Sequence, residues 1–276
     1  MKRLFGFLMA VAMSVAALVG TASSASAASK ATYYLSLGDS LAAGEAKQYP
    51  DQLFKAIRGE YTQLRLVKMG CGGETALGMI VGDVGCAPGI YEHGSQLNEA
   101  VAFLQAHLGE VAFITIDIGA NDILGLYGCV DFKTYLIDGA CVDANLPTVE
   151  GNMATILQAL HGAAPGVPIF GMSYYDVLLG AWYLGYPGVA LADHPIVKEL
   201  NDGFAATYGA NGAIVADVWG AFDSDNFELI HSEDWGDVPT NVGHICDWTR
   251  FCLSQDIHPN VTGYGVIAQA FEAVLS

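Results

Sequence analysis

The sequence predicts an α/β fold in which helices cover both faces of a mostly parallel sheet. Apolar runs rich in β-branched residues recur along the chain, and segments with helical periodicity separate them, which is the pattern of βαβ units. Three of the apolar runs end in glycines and polar residues. Open α/β sheets bind ligands beyond the carboxyl ends of their strands, so the same pattern also indicates where a site lies.

The first half of the chain is predicted to form three strands and two helices. Pro50 suits the first turn of the first helix, and Leu97, Val101, Leu104 and Leu108 share one stripe of the second. The third strand is the clearest, because β-branched residues dominate its apolar run. In chain order, the elements are a strand at residues 33–37, a helix near 49–59, a strand at 64–69, a helix within 94–109 and a strand at 111–119.

The second half continues the alternation with three helices and two strands. Its residues 176–193 are aromatic and glycine-rich and show no clear period. The last helix is expected to begin just after His258. In chain order, the elements are a helix around residues 148–161, a strand at 167–175, a helix at 195–208, a strand at 213–219 and a terminal helix within 259–275.

Residues 1–27 are predicted to be a secretory signal peptide. Two basic residues precede an apolar stretch, and Ala25-Ser26-Ala27 forms the expected cleavage motif. An uncleaved membrane anchor is the alternative, but the small residues at the end of the segment argue against it. Residues 28–276 are then expected to form a single secreted domain without a stable membrane anchor.

The mature chain is strongly acidic. The leader holds two of the 11 basic residues, so nine remain against 29 acidic ones, a formal charge of −20. Nucleic acid is therefore disfavoured as a partner, because binding to phosphates needs a basic surface. The charge favours solubility, and we expect a monomer.

Six cysteines lie in the mature chain and fall into three local groups. An even number in an oxidising compartment favours disulfides. The simplest pairing joins neighbours along the chain, so that each bond closes a short loop. No Cys-x-x-Cys pair occurs and the seven histidines are scattered, so no metal site is expected. The expected disulfides are Cys71–Cys86, Cys129–Cys141 and Cys246–Cys252.

Three predicted strands deliver chemically useful groups to one edge of the sheet. The first strand runs into Ser40, the second into a glycine-rich loop with Gly73, and the third into Asn121. A serine hydroxyl is a good nucleophile only when a base takes its proton, and His258 is the candidate base. An oxyanion would need donors fixed in advance, which the backbone N–H groups of Ser40 and Gly73 and the amide of Asn121 would supply. Each feature alone is also an ordinary turn or helix cap.

These four residues lie in sequence blocks that resemble those of the SGNH hydrolases, also called the GDSL esterase/lipase family. Ser40 lies in GDSL, Gly73 in GCGGET, Asn121 in GAND and His258 in DIHPN. The resemblance covers about residues 33–271. The longer runs SLGDSLAAGE, IDIGANDI and DIHPNVTGYGVIAQAF resemble the secreted actinobacterial branch.

The resemblance implies a three-layer α/β/α sandwich of the SGNH, flavodoxin-like type, with a central five-stranded parallel sheet. It also implies hydrolysis of small-molecule or lipid carboxylic esters without a cofactor. Ser40 would be the nucleophile and His258 the general base, then the general acid for the leaving alcohol. Ser40, Gly73 and Asn121 would form the oxyanion hole.

One position departs from the family pattern. The family usually has an aspartate three residues before the histidine, where this chain has Gln255, and Asp256 stands two before it. A carboxylate orients the imidazole and stabilises its charged form. Three outcomes are open: Asp256 reaches Nδ1 of His258 by a different loop path, the carbonyl oxygen of Gln255 replaces it, or the site is a dyad. We favour Asp256 as the third catalytic residue.

The substrate stays open between two kinds of ester. Residues 174–188, YYDVLLGAWYLGYPG, are the candidate wall of the acyl pocket, and a packed insertion is the alternative. An apolar groove there would suit longer acyl chains, whereas a collapsed segment would suit small esters such as acetylated sugars.

Two other functions compete with ester hydrolysis. One is a non-catalytic module of the same fold that binds a cell-wall component or glycan, and the other is acyl transfer to an alcohol other than water. The presence of all four block residues favours an enzyme over a binding module. Asn260-Val261-Thr262 also matches a glycosylation acceptor, which we interpret as a coincidence.

Overall fold

The computed structural model describes residues 33–44, 46–61 and 63–275, so the predicted signal peptide lies outside the described residues. Within them, five parallel strands form a central sheet and six short strands form three antiparallel pairs. The strands are β1 (Tyr33–Gly38), β2 (Arg65–Lys68), β3 (Val111–Asp117), β4 (Val130–Asp131), β5 (Leu136–Ile137), β6 (Ile169–Met172), β7 (Ile214–Ala216), β8 (Leu229–Ser232), β9 (Gly236–Pro239), β10 (Thr249–Arg250) and β11 (Asp256–Pro259).

The central sheet has the strand order β2-β1-β3-β6-β7, and all four pairings are parallel. The predicted five-stranded α/β fold is therefore confirmed. The chain moves to one side of β1 to form β2 and to the other side to form β3, so the strand order reverses between β1 and β3. A crevice opens beyond the carboxyl ends of the strands at such a reversal.

Helices cover both faces of the sheet. The side chains of β1 alternate between the two faces, with Leu35 and Leu37 packed among α2 to α5 and Tyr34 packed among α1 and α7 to α9. The helices are α1 (Tyr49–Ile57), α2 (Ala76–Val81), α3 (Gln96–Ala106), α4 (Gly139–Ala163), α5 (Pro187–Ala210), α6 (Val218–Ala221), α7 (Thr240–Trp248), α8 (Phe251–Ser254) and α9 (Val261–Leu275), with a π-helix at Asp122–Leu126 and a 3₁₀ helix at Val177–Ala181.

Two helices are longer than predicted. Pro147 lies inside α4 and Pro195 inside α5, although the helices were predicted to begin around residue 148 and at residue 195. In α4 the extra turns begin at Asp138, whose carboxylate caps the helix by accepting the N–H of Cys141. The prediction for Leu108 was wrong, because α3 ends at Ala106 and leaves that side chain 66% exposed.

The described residues contain no helix long and apolar enough to cross a membrane.

Candidate active site

The turn after β1 presents Ser40 at the carboxyl edge of the sheet. Gly38 has a φ of +134°, and a Cβ at this position would lie 2.4 Å from the carbonyl oxygen of Asp117 on the neighbouring β3. Only glycine fits there, because the two strands approach each other closely and the backbone turns sharply. The N–H of Asp39 then donates to that carbonyl oxygen at 3.0 Å, which fixes the residue next to Ser40.

Ser40 and His258 are in hydrogen-bond contact, although 218 positions separate them in the sequence. The distance between Ser40 Oγ and His258 Nε2 is 2.8 Å. His258 lies on β11, which pairs with β10 just before α9. Its side chain is 34% exposed, so a substrate can reach the hydroxyl and the imidazole from solvent.

Asp256 contacts the other nitrogen of the imidazole. Its Oδ1 lies 2.6 Å from Nδ1 of His258 and also accepts the backbone N–H of His258 at 3.1 Å. Gln255 makes this path possible, because its left-handed backbone, with a φ of +59°, turns the chain between α8 and β11. Of the three arrangements left open by the sequence, the structure therefore contains the one in which the Asp256 carboxylate meets Nδ1.

Arg250 holds the outer face of the same carboxylate. It faces Asp256 across the β10–β11 ladder, and its Nη1 lies 3.3 Å from Asp256 Oδ2. Burial raises the pKa of Asp256, but the hydrogen bonds from His258 and Arg250 outweigh burial and hold that pKa below its ordinary value. The carboxylate is therefore ionised at neutral pH and can stabilise a charged imidazole.

Asn121 lines the same cavity as Ser40 and is tied to the loop of Gly73. Its Nδ2 donates one hydrogen to the carbonyl oxygen of Glu74 at 3.1 Å, which leaves the second hydrogen of the amide for another acceptor. Gly73 has a φ of +80°, but it is not among the described residues that line the cavity beside Ser40. Within the described part of the chain, the N–H groups of Ser40 and Gly73 have no hydrogen-bond acceptor.

A cavity of about 80 Å³ opens beside Ser40 and His258, and most of its wall is apolar. Tyr174 to Leu178 form one side, as predicted for the start of the aromatic segment, whereas Trp182 to Gly188 do not line it. The apolar wall consists of Leu41, Leu124, Ile137, Val177, Leu178, Val197, Leu200 and Ile257.

Acidic side chains are buried behind the site, and burial raises the pKa of each. The pKa of Glu74 rises to about 7 and that of Asp122 to about 6, because desolvation disfavours the charged carboxylate. Asp122 has a structural partner, since its Oδ2 accepts the N–H of Ala76 at the start of α2. The sequence suggested no role for Glu74 or for Arg250. The acidic interruption of the β3 run at Asp117 was the available signal for buried acids here.

The three cysteine pairs expected from the sequence lie at disulfide distance. The Cα–Cα distances are 5.9 Å for Cys71–Cys86, 5.4 Å for Cys129–Cys141 and 5.1 Å for Cys246–Cys252. Among the described residues, Cys71, Glu74 and Cys86 have the spacing of metal ligands. The two sulfurs are bonded to each other, so they offer no thiolate to a metal.

The glycosylation-like sequence has a structural use. Asn260 Oδ1 accepts the N–H groups of Thr262 and Gly263 at the start of α9, and its Nδ2 donates to the carbonyl oxygen of Asp247 at 2.7 Å. Asn260 therefore acts as a helix cap.

Comparison with known proteins places these features in context. A model of the family described as GDSL-like Lipase/Acylhydrolase matches residues 36–266. A comparison with curated proteins found no match.

Solved structures share the fold at low sequence identity. An extracellular lipase from Streptomyces rimosus is 17% identical, with a TM-score of 0.55 and coverage of 88% of this chain and 99% of that one. Phospholipase A1 from Streptomyces albidoflavus NA297 is 16% identical, with a TM-score of 0.52 and coverage of 88% and 99%. A catalytic mutant of an acetylxylan esterase from Geobacillus stearothermophilus is 15% identical, with a TM-score of 0.51 and coverage of 88% and 93%.

Proposed function

Because the chain belongs to the GDSL-like Lipase/Acylhydrolase family, we propose that it is a secreted serine hydrolase that cleaves carboxylic esters. One observation carries the proposal: hydrogen bonds run from Ser40 Oγ through the imidazole of His258 to the carboxylate of Asp256. This arrangement activates a hydroxyl for attack on a carbonyl carbon. A module that only binds glycans has no need of it.

In the first half of the reaction, Ser40 Oγ attacks the ester carbonyl and His258 Nε2 takes the hydroxyl proton. The Asp256 carboxylate stabilises the imidazolium through Nδ1. The imidazolium then protonates the leaving alcohol, and the acyl group remains on Ser40. In the second half, His258 deprotonates a water molecule that hydrolyses the acyl-enzyme, and the proton returns to Ser40.

The negative charge on the tetrahedral intermediate needs donors that are already in place. We assign this task to the N–H groups of Ser40 and Gly73 and to the free amide hydrogen of Asn121. The support is that neither N–H has an acceptor among the described residues, while the amide of Asn121 is held by Glu74.

The acyl group is assigned to the apolar cavity beside Ser40. Its aliphatic wall supports chains of several carbons over an acetyl group, because each buried methylene contributes about 0.8 kcal/mol. The solved structures that share the fold include lipases and an acetylxylan esterase, so the assigned acyl-chain length rests on the cavity alone.

Export and domain organisation are part of the same proposal. The predicted leader at residues 1–27 and three cysteine pairs at disulfide distance support secretion. One sheet with an apolar core on each face supports a single domain over residues 28–276. The longer sequence runs around the four blocks support the secreted actinobacterial branch.

The test combines covalent labelling with a substrate profile. A fluorophosphonate should label Ser40 in the folded mature protein, and Ser40→Ala should abolish both labelling and the hydrolysis of p-nitrophenyl esters. Hydrolysis should rise from acetate to medium chains and exceed that of an acetylated glycan. Failure of a folded sample to label would favour a binding module. Labelling together with slow ester turnover that an added alcohol accelerates would identify acyl transfer.

A further inference from the structure

Two buried carboxyl groups touch each other directly behind Ser40. Asp39 precedes Ser40 in the turn after β1, and Asp117 ends the neighbouring β3. The backbone N–H of Asp39 donates to Asp117 Oδ2 at 3.2 Å, and the two carboxyl groups are close enough to interact with each other. A carboxylate only accepts hydrogen bonds, so a bond between two carboxyl groups requires a proton on one of them.

The surroundings do not allow both groups to be charged. Asp39 is 2% exposed and Asp117 is 0% exposed, and neither takes part in an ion pair of the described residues. Two contacting anions without a partner cation would be very costly in such an interior. We propose that Asp39 and Asp117 share a single proton, so that one negative charge stands permanently beneath the nucleophile.

The hydrogen bonds around the pair assign the proton to Asp117 and the charge to Asp39. The Asp39 carboxylate accepts the N–H of Leu41 at 2.9 Å and the hydroxyl of Tyr174 at 3.1 Å. Asp117 Oδ1 accepts the hydroxyl of Tyr49 at 2.7 Å, and in the proposed arrangement the protonated carboxyl of Asp117 donates to Asp39. In agreement, burial raises the pKa of Asp117 well above its ordinary range, and the charge of Asp39 adds to that effect.

Among the described residues, no buried cation offsets the charge of Asp39, and the group that attracts it is the imidazole of His258. The other ionisable groups that act on the pair are phenols or acids, which are neutral or negative. They come from β1, α1, the loop after β2, the π-helix, the loop after β6, α5 and α9, and they are Tyr34, Tyr49, Glu74, Asp122, Tyr174, Tyr175, Tyr208 and Tyr264.

The shared proton gives both residues a positioning role. Through Leu41 the anion of Asp39 fixes the turn that holds Ser40, and through space it favours the charged imidazole that forms when His258 takes the serine proton. Asp117 keeps the pair at a single charge. A second charge would repel Asp39 and break the contact that holds it.

Infrared difference spectroscopy tests the proton directly and does not depend on the proposed function. At about pH 8.5 the acids whose pKa burial raises to about 6 or 7, Glu74, Asp122 and Asp193, are ionised. Asp176 has the imidazole of His194 as a partner, so a carboxylic acid C=O band kept by the wild-type protein is assigned to the pair. The band should disappear in Asp117→Asn and persist in Asp143→Asn, a change of an exposed aspartate on α4. Absence of the band from the folded wild type, or its survival in Asp117→Asn, would overturn the proposal.

A kinetic arm tests the positioning role and rests on the proposed ester hydrolysis. In Asp39→Asn the acid limb of kcat/KM against pH should move to lower pH, and kcat should fall about tenfold or more, because the imidazolium loses an anion and the turn loses a strong acceptor. Asp143→Asn should leave the profile in place. An unmoved acid limb in a folded Asp39→Asn protein would refute the electrostatic support of His258, while a wild type without hydrolysis would refute the enzyme and leave the infrared result standing.

Discussion

The carboxylate of Asp256 lies 2.6 Å from Nδ1 of His258, although it precedes the histidine by two positions rather than three. Replacement by asparagine keeps the size of the side chain but removes the charge that stabilises the imidazolium. We expect Asp256→Asn to lower kcat for ester hydrolysis by about a hundredfold or more without changing the thermal unfolding profile. Turnover within about threefold of wild type would show that another group orients His258.

A substitution of Arg250, which contacts the other oxygen of the Asp256 carboxylate, is the comparison for Asp256→Asn. Because its guanidinium contacts the Asp256 carboxylate at 3.3 Å from a partly exposed position, its contribution should be small. We expect Arg250→Gln to lower kcat/KM about two- to fivefold. Arg250→Lys keeps the positive charge, so its kcat/KM should lie between those of Arg250→Gln and the wild type. A loss as large as that of Asp256→Asn would show that Arg250 acts on the substrate rather than through Asp256.

Glu74 should make the protein less stable as the pH rises. Its neutral carboxyl is favoured in the folded state, where burial raises the pKa from about 4.5 to about 7. The folded state therefore binds more protons than the unfolded state between these values, and the stability this difference provides at low pH is lost as the pH rises to about 7.

Glu74→Gln removes this titration and keeps an acceptor for the amide of Gln96. Relative to the variant, the wild type should lose unfolding free energy with a slope of at most about 1.4 kcal/mol per pH unit between about pH 5 and 7. Urea denaturation at a series of pH values measures both curves. Parallel curves would show that Glu74 is not titrating in this window.

The three disulfides should differ in their effect on stability. Cys71–Cys86 spans 15 positions and Cys246–Cys252 spans six, and a longer closed loop restricts the unfolded chain more. Replacing the first pair by serines should cost about 3 kcal/mol of unfolding free energy and replacing the second about 2 kcal/mol. Urea denaturation checks this order, and equal stability of variants and wild type would remove the structural role of the bonds.

Val197 on α5 tests the assignment of the acyl cavity. It lines the cavity, and Val197→Phe should fill part of the space and lower kcat/KM for octanoate relative to acetate by about tenfold. Leu191→Phe is the control, because Leu191 lies on the same helix but is 49% exposed. A similar loss for both ester lengths in Val197→Phe would indicate general disturbance of the site rather than a shortened acyl pocket.

The sheet and its reactive edge were predictable, because period and composition report directly on buried parallel strands. The ends of β1 and β3 followed from the positions at which their apolar runs stop, and these positions also located Ser40 and Asn121. The lengths of the helices were harder to predict from the sequence. Pro147 and Pro195 resemble helix starts in the sequence. In the structure the cap at Asp138 begins α4 earlier, and Pro187 occupies the first turn of α5.

Side-chain partnerships within the site were harder to predict. The path of the loop before His258 depends on one left-handed residue, and spacing alone cannot distinguish that path from its alternatives. The contact between Asp39 and Asp117 depends on the register of β1 against β3, in which Gly38 faces Asp117. The aspartate inside the apolar run of β3 is visible in the sequence, but nothing in the sequence identifies its partner.

The left-handed turn at Gln255 also limits how this site can change over generations. An aspartate introduced at position 255 would begin from a backbone that already directs Asp256 to the imidazole, so it would add a carboxylate without taking over the contact. Conversion to the usual spacing of the family requires a new loop conformation together with the loss of the present aspartate. The two arrangements are therefore separated by at least two coordinated substitutions.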